Sequence, residues 1–201
     1  NRGAPLDSCV GYIYCTKIAM ARPRGRTSNQ RAVYSGHKRF HCFSYQYITT
    51  TNGFLFNIYG PEDERRHDMT IYNKSGIDEE LSAALLVDGK QFFIYGDAAY
   101  VLRPFLQVGF PTVNADPETA IYNAKMNSVR IAEEWTYKDI KKNWTRLDYK
   151  RKLKVREAPI DINYLCGVLL WNFRVCLGYN SEVSKYFNCP APSLNSYLFY
   201  F

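Results

Sequence analysis

The segment over residues 91–100 constrains the fold more than any other stretch of the sequence. Its apolar run from Phe92 to Tyr95 predicts a buried strand that stops at Gly96. Asp97 comes next and places a carboxylate at the carboxyl end of that strand, where open α/β sheets carry their chemistry. Asp97 could equally end the strand and cap the following turn. The sequence alone leaves both interpretations open.

A second acid lies within a predicted helix over residues 122–143. Helical spacing places four side chains on one face of this helix: Arg130, Glu134, Tyr137 and Lys141. The same spacing predicts that Ile131 and Trp135 are buried on another side. One acid therefore ends a strand, and another lies in the middle of a helix.

The rest of the chain predicts three consecutive strands ahead of these elements. Residues 9–18 are rich in strand-forming side chains, and residues 41–50 and 53–59 flank an Asn-Gly turn that is typical of a hairpin. Residues 60–75 predict a polar loop, with Ser75 and Asp78 as a capping box ahead of a helix over residues 79–86. The predicted order is three strands, a helix, the strand before Asp97, and then helices.

The carboxyl-terminal part predicts one long helix followed by irregular chain. Pro159 opens this helix over residues 160–177, and Gly178 ends it. Residues 179–201 predict an irregular tail over the surface. The core positions of the helix, taken from apolar residues at helical spacing, are Ile162, Leu165, Cys166, Leu169 and Phe173.

Composition indicates one globular unit with a polyanionic partner. The 201 residues carry 46% hydrophobic side chains, and we expect a single domain across residues 1–201. The net charge of +7 suits nucleic acid. The six cysteines show no paired spacing, so we expect reduced, mostly buried thiols. No segment is long and apolar enough to predict a membrane span.

Two basic stretches are candidate contacts for nucleic acid phosphates. Residues 20–39 form a predicted loop with six cations and no acid, which could be a solvated surface or a phosphate-contacting arm. Residues 138–156 form a second basic region that could track a nucleic acid backbone or simply be solvated. The cations of the first stretch are Arg22, Arg24, Arg26, Arg31, Lys38 and Arg39.

Two clusters of polar residues carry weaker signals. His37, His41 and Cys42 do not predict a zinc site, because residues four apart on an extended segment lie about 13 Å apart. Residues 65–68, with the sequence RRHD, combine charge with acid/base capacity. Spacing alone favours an ordinary ion-paired loop for this second cluster.

Five longer motifs occur in order along the chain: RPRGRTSNQRAVYSGHKRFHCFSYQ, ERRHD, YGDAAYVLRPFL, NSVRIAEEW and CGVLLWNFRVCL. Together they resemble the Harbinger-type transposase nucleases, which are DDE-superfamily endonucleases. The resemblance covers nearly the whole chain. It implies an RNase H-like fold, an α/β architecture in which helices flank a mixed five-stranded sheet. It also implies that an upstream region precedes this domain in the natural protein.

The resemblance implies a metal-dependent enzyme that cuts and joins DNA at transposon ends. The family's acids fall on Asp97, Glu134 and Asp68, which would bind two Mg²⁺ or Mn²⁺ ions. Arg130 and Lys141 would position DNA phosphates. A eukaryotic mobile element implies a nuclear location, with residues 22–39 as a weak import signal, and the joining of two DNA ends favours a homo-oligomer.

The sequence departs from the family pattern at the first acid. Where the family's first strand ends with Asp, this chain has Tyr14, and a phenol with a pKa near 10 cannot replace a carboxylate at neutral pH. We therefore expect impaired or absent cleavage. Two functions remain: an endonuclease that works with Asp68, Asp97 and Glu134, and a non-catalytic protein, domesticated or degenerate, that binds DNA or a partner.

Overall fold

The computed structural model describes residues 2–25, 27–113, 116–147, 159–179 and 181–199. Its strands are β1 (Cys9–Met20), β2 (Tyr34–Ser35), β3 (Phe40–Thr50), β4 (Leu55–Asp63), β5 (Leu86–Val87), β6 (Lys90–Gln91), β7 (Phe93–Gly96) and β8 (Leu106–Val108). Its helices are α1 (Thr27–Ala32), α2 (Asp68–Ser75), α3 (Asp78–Ala84), α4 (Pro117–Arg130), α5 (Ala132–Asn143), α6 (Ile160–Cys176), α7 (Glu182–Phe187) and α8 (Leu194–Leu198), and a 3-10 turn spans Thr145–Leu147.

The main sheet runs in the order β4, β3, β1, β7, β8. Strands β1, β3 and β4 are antiparallel neighbours, whereas β7 is parallel to both β1 and β8. The short β2 pairs with the start of β3 on the edge that β4 also uses, so it adds no further position across the sheet. This mixed sheet of five strand positions, flanked by helices, confirms the expected RNase H-like fold.

β1 is the central strand because both of its faces are apolar. Successive side chains of a strand point to opposite faces. Ile18 packs with Tyr47 and Trp171 on the face that α5 and α6 cover. Ile13 packs with Tyr72 on the opposite face, beneath α2 and α3. The strand predictions for residues 9–18, 41–50 and 53–59 are confirmed to within a few residues.

The predicted loop over residues 60–75 is wrong at both ends and is confirmed only over residues 64–67. β4 continues to Asp63, and α2 follows with Ile71 and Tyr72 buried. The predicted capping box is also wrong: Ser75 ends α2, and its hydroxyl donates to the Tyr72 carbonyl at 2.7 Å. Two buried residues in an eight-residue helix are too few to produce a recognisable helical periodicity in the sequence. The stability of α2 therefore depends on its contact with the sheet.

The long helix predicted over residues 122–143 is two helices that meet at Ile131. The side chain of Ile131 is 51% exposed, so its predicted burial is wrong. The helix that follows it buries Ala132, Glu133 and Ile140 instead. Ile131 keeps helical backbone angles, and Val129, Glu133 and Ile140 still share one buried face across it. Ile131 lies off that face, so the error was in the choice of the buried side.

Helix α6 is present as predicted, but its predicted core face is wrong. The sheet buries Tyr164, Val168, Trp171 and Val175, whereas the face predicted as core points outward. α6 is apolar on most sides, so periodicity shows that a helix forms but not which side faces the sheet. The tail is also more regular than predicted, since it contains α7 and α8.

The prediction that the cysteines are reduced is confirmed, but the prediction that most of them are buried is wrong. All six are free thiols. Cys15 and Cys42 are buried, but Cys166 is exposed and the others are partly exposed. None of the described helices is long and apolar enough to cross a membrane.

Candidate functional site

The register of the sheet brings Tyr14 beside Asp97. Tyr12 of β1 pairs with Tyr95 of β7 in parallel register, so the residues two positions later lie next to each other: Tyr14 in the middle of β1 and Asp97 just after the end of β7. The Asp97 carboxylate accepts a hydrogen bond from the Ala99 amide at 2.9 Å. Asp97 therefore both ends the strand and caps the turn, at the edge where chemistry was predicted.

The spacing of the buried residues along α4 and α5 determines which glutamate faces inward, because Glu133 continues the buried face of Met126 and Val129. Glu133, only 1% exposed, lies within the protein, whereas its neighbour Glu134 is exposed. The Nη1 group of Arg130 donates to the Glu133 carboxylate at 2.6 Å. Sequence reasoning missed Glu133, although two signals were available. It lies three residues after Arg130, which suits an ion pair on a helix, and it has the helical spacing of the apolar Val129 and Ile140.

Burial makes Glu133 an unusual acid. Loss of solvent raises its pKa to about 8, with further increases from Asp97 and Glu134, and the Arg130 guanidinium only partly offsets these effects. Its second carboxylate oxygen has no hydrogen-bond partner among the described residues. These mutual effects show that Asp97, Glu133 and Glu134 act on one another electrostatically.

Tyr14 occupies the space among these acids. Its half-buried ring packs edge-on against Tyr47 with the centroids 5.8 Å apart. Burial raises the pKa of the Tyr14 phenol, and Glu133, Glu134 and Asp97 raise it further, while Arg130 lowers it. The phenol therefore stays protonated at neutral pH and supplies no negative charge to the site.

Asp68 lies on the other side of the sheet from Tyr14. It begins α2, and its nearest titratable neighbour on β1 is Cys15, whose side chain points to the face opposite that of Tyr14. Burial raises the pKa of Asp68, with a further increase from Asp97, and a hydrogen bond with Cys15 opposes them. Asp68 thus interacts with Asp97, but the structure does not bring it onto the face that carries Glu133 and Glu134.

A family model described as DDE superfamily endonuclease matches residues 13–171, which contain most of β1, all of β7 and the helical acids. The chain belongs to this family. No curated protein and no solved structure gives a significant match. Family membership implies DNA as the substrate and supports a nuclease or transposase type of function in general. The Harbinger subtype stays a prediction.

DDE endonucleases generally use divalent metal ions, but the acids of this chain do not fit a two-metal centre. Within the residues that the structure describes, no group of three or more His, Cys, Asp or Glu side chains is placed to hold an ion. Tyr14 is neutral, Glu133 is paired with Arg130, and Asp68 lies across the sheet. Asp97 and Glu134 are the remaining acids on this face, and two carboxylates are too few to bind two divalent cations.

The first basic stretch is partly ordered rather than the simple loop that the sequence predicts. It contains α1, which buries no residue, and β2. Arg22 donates to the Gln30 amide oxygen at 2.8 Å, and Gln30 in turn binds the Pro23 carbonyl. The exposed cations of this stretch are Arg22, Arg24, Arg31, Lys38 and Arg39, and Arg26 lies outside the described residues.

The second basic stretch is described only in part. Lys141 lies over the Tyr137 ring, with its ammonium 5.1 Å from the ring centroid, so these predicted face-mates do meet. Arg130, predicted to position phosphate, instead pairs with Glu133. Lys138, Lys142 and Arg146 are also described, whereas the five cations over residues 150–156 lie outside the described residues.

Proposed function

We propose that this chain is a transposase-type DDE endonuclease domain that binds DNA but is impaired in strand cleavage. One observation supports this most directly: the residue adjacent to Asp97 in the sheet register is a tyrosine that stays protonated. The family's chemistry needs convergent carboxylates at this edge. Here a neutral ring fills the position between Asp97 and the helical acids.

Metal binding tests this proposal, with Tyr14→Asp as the informative variant and Tyr14→Phe as its matched control. Titration calorimetry with Mn²⁺ should show weak or no binding to the native chain and to Tyr14→Phe. Tyr14→Asp adds a carboxylate beside Asp97, so we expect its affinity to rise by at least tenfold, or about 1.4 kcal/mol. Glu134→Ala in the Tyr14→Asp background should remove this gain.

The opposite result is equally clear. If the native chain binds two ions tightly and loses them in Glu134→Ala, then Tyr14 does not disable the site. An active endonuclease that uses Asp68, Asp97 and Glu134 would then replace our proposal. Thermal melts of each variant separate a change in metal affinity from a loss of folded protein.

A non-catalytic role in binding DNA or a partner is the second candidate, and the exposed cations of residues 22–39 favour it. Incubation with supercoiled plasmid and Mg²⁺ distinguishes the two functions. Nicking that Asp97→Ala abolishes would support the endonuclease. Salt-sensitive DNA binding without nicking would support the binding protein. The nuclear location implied by the family resemblance is part of either proposal, and a fluorescent fusion tests it.

A further inference from the structure

The outer face of α6 is an exposed apolar surface that the proposed function does not use. Its exposed fractions are 57% for Ile162, 41% for Leu165, 40% for Leu169 and 47% for Leu170. The exposed Cys166 lies among them, and the partly exposed Phe173 continues the row. Contiguous apolar surface of this kind marks an interaction site rather than a solvated helix face.

This surface continues beyond α6. Leu165 and Leu169 also line a shallow groove of about 250 Å³, together with Phe54 and Phe56 of the hairpin and Tyr197 of α8. Phe56 is 45% exposed. The apolar area therefore spans three elements and is wider than a single helical stripe.

The apolar row on α6 is symmetric along the helix. Its midpoint lies between Gly167 and Val168, and each apolar residue before it has an apolar counterpart at the same distance after it. In two antiparallel copies of α6, such counterparts come to the same level and interdigitate. Between the two copies, Ile162 would lie level with Phe173, Leu165 with Leu170, and Cys166 with Leu169.

The charges of α6 follow the same symmetry. Asp161 lies just before the apolar row and Arg174 just after it, and both are exposed. Antiparallel copies bring an Asp161 and an Arg174 to the same level at each end, whereas parallel copies would place like charges together. The Arg174 guanidinium also stacks on the Tyr179 ring, with its Cζ atom 4.2 Å from the ring centroid. Stacking of this kind leaves guanidinium N–H groups available to a carboxylate.

We propose that this α6 face is where two copies of the chain pair, with their α6 helices antiparallel about a two-fold axis. The segment over residues 148–158 is a poor alternative occupant, because its sequence is dominated by Lys and Arg. An apolar row with a single acid at its end offers such a segment too few charge partners. Pairing does not depend on metal or cleavage, so its test is independent of the proposed function.

Sedimentation equilibrium of the full chain tests the interface, with Leu169→Glu as the disrupting variant. Leu102→Glu is the matched control, because Leu102 is 59% exposed and lies outside this surface. The native chain and the control should dimerise alike, and Leu169→Glu should weaken the dimer by at least tenfold, since it buries unpaired charge. A native chain that stays monomeric, or a dimer that Leu169→Glu does not weaken, would overturn the proposal.

A charge exchange tests the antiparallel orientation. Asp161→Arg places two arginines at the same level and should weaken the dimer, and adding Arg174→Asp should restore it. In a parallel pair the double variant would keep like charges together and would not recover. Failure of the double variant to recover, with its thermal melt unchanged, would exclude the antiparallel arrangement.

Cys166 provides a covalent test at the centre of the interface. In the antiparallel pair the two Cys166 positions are offset by only about 4.5 Å along the helix axis, at 1.5 Å per residue. A short bis-maleimide should therefore link two copies in the native chain but not in Cys166→Ser. Cross-linking that persists in Cys166→Ser would place the contact elsewhere and contradict the proposed interface.

Discussion

Glu133 is the residue whose environment differs most from what its type predicts. It is buried beside Arg130, and its pKa rises to about 8 because burial outweighs the guanidinium. Between its ordinary pKa near 4.5 and this raised value, the folded chain holds a proton that the unfolded chain has released. Its contribution therefore makes stability fall as pH rises through this window.

We predict that Glu133→Gln flattens this pH dependence. The native chain should lose free energy of unfolding between about pH 5 and pH 8, by at most roughly 1.4 kcal/mol per pH unit from this one proton. The glutamine side chain does not titrate, so the variant should lose less over the same range. Urea unfolding at several pH values provides the measurement.

Glu118→Gln is the matched control for this experiment. It removes an exposed carboxylate on α4 that is not among the groups acting on Glu133, so the slope should stay close to that of the native chain. Equal slopes for the native chain and Glu133→Gln would show that Glu133 does not hold a proton in this window.

At the scale of elements, one buried side-chain amide links α6 to the sheet by hydrogen bonds. The side chain of Asn172 accepts a hydrogen bond from the Leu55 amide at 3.0 Å and donates to the Leu55 carbonyl at 2.9 Å. Leu55 begins β4, which lies at the edge of the described sheet and pairs with β3. Asn172 therefore provides hydrogen-bond partners for backbone groups of Leu55 that would otherwise be buried without one. Trp171 adds a further bond from its indole N–H to the Gly53 carbonyl.

We predict that Asn172→Ala lowers the free energy of unfolding by about 2–4 kcal/mol, because it removes both bonds and leaves two buried backbone groups unpaired. Asn195→Ala on α8 is the control, since that side chain is exposed. Chemical denaturation of both variants gives the comparison. A loss for Asn172→Ala no larger than that of the control would show that this contact does not hold α6 in place.

At the scale of the whole molecule, charge and its distribution decide how the domain meets DNA. The chain carries a net charge of +7, and the described cations of residues 22–39 are exposed beyond the end of β1. Each cation that neutralises a phosphate releases counterions, so DNA affinity should fall steeply with salt. The salt dependence of DNA affinity therefore measures how many of these cations contact phosphates.

We predict that replacing Arg24, Arg31 and Lys38 together with glutamine reduces the slope of log affinity against log salt, by roughly 0.9 for each replaced side chain that contacts phosphate. A control with Lys90, Lys125 and Lys185 replaced by glutamine has the same net charge and should keep the native slope. Fluorescence anisotropy with duplex DNA gives both slopes. Equal slopes for the two variants would mean that residues 22–39 are not the DNA contact.

The sequence by itself determined the elements with strong local signals. Runs rich in strand-forming residues and the Asn-Gly turn predicted β1, β3 and β4, and the Phe92–Tyr95 run before Gly96 predicted β7. The position of Asp97 at the end of β7, and the substitution at Tyr14, were also readable, because strand ends and residue identities are local properties. The family resemblance rested on longer motifs that occur in order along the chain, and these too are readable from the sequence.

Only the tertiary structure decided which side chains face one another. Periodicity could not choose the core face of α6, because that helix is apolar on most sides. The packing of α2 on one face of the sheet and of α5 on the other placed Asp68 across the sheet from Tyr14 and the helical acids. Each of these outcomes depends on packing between segments far apart in the chain, which no local pattern encodes.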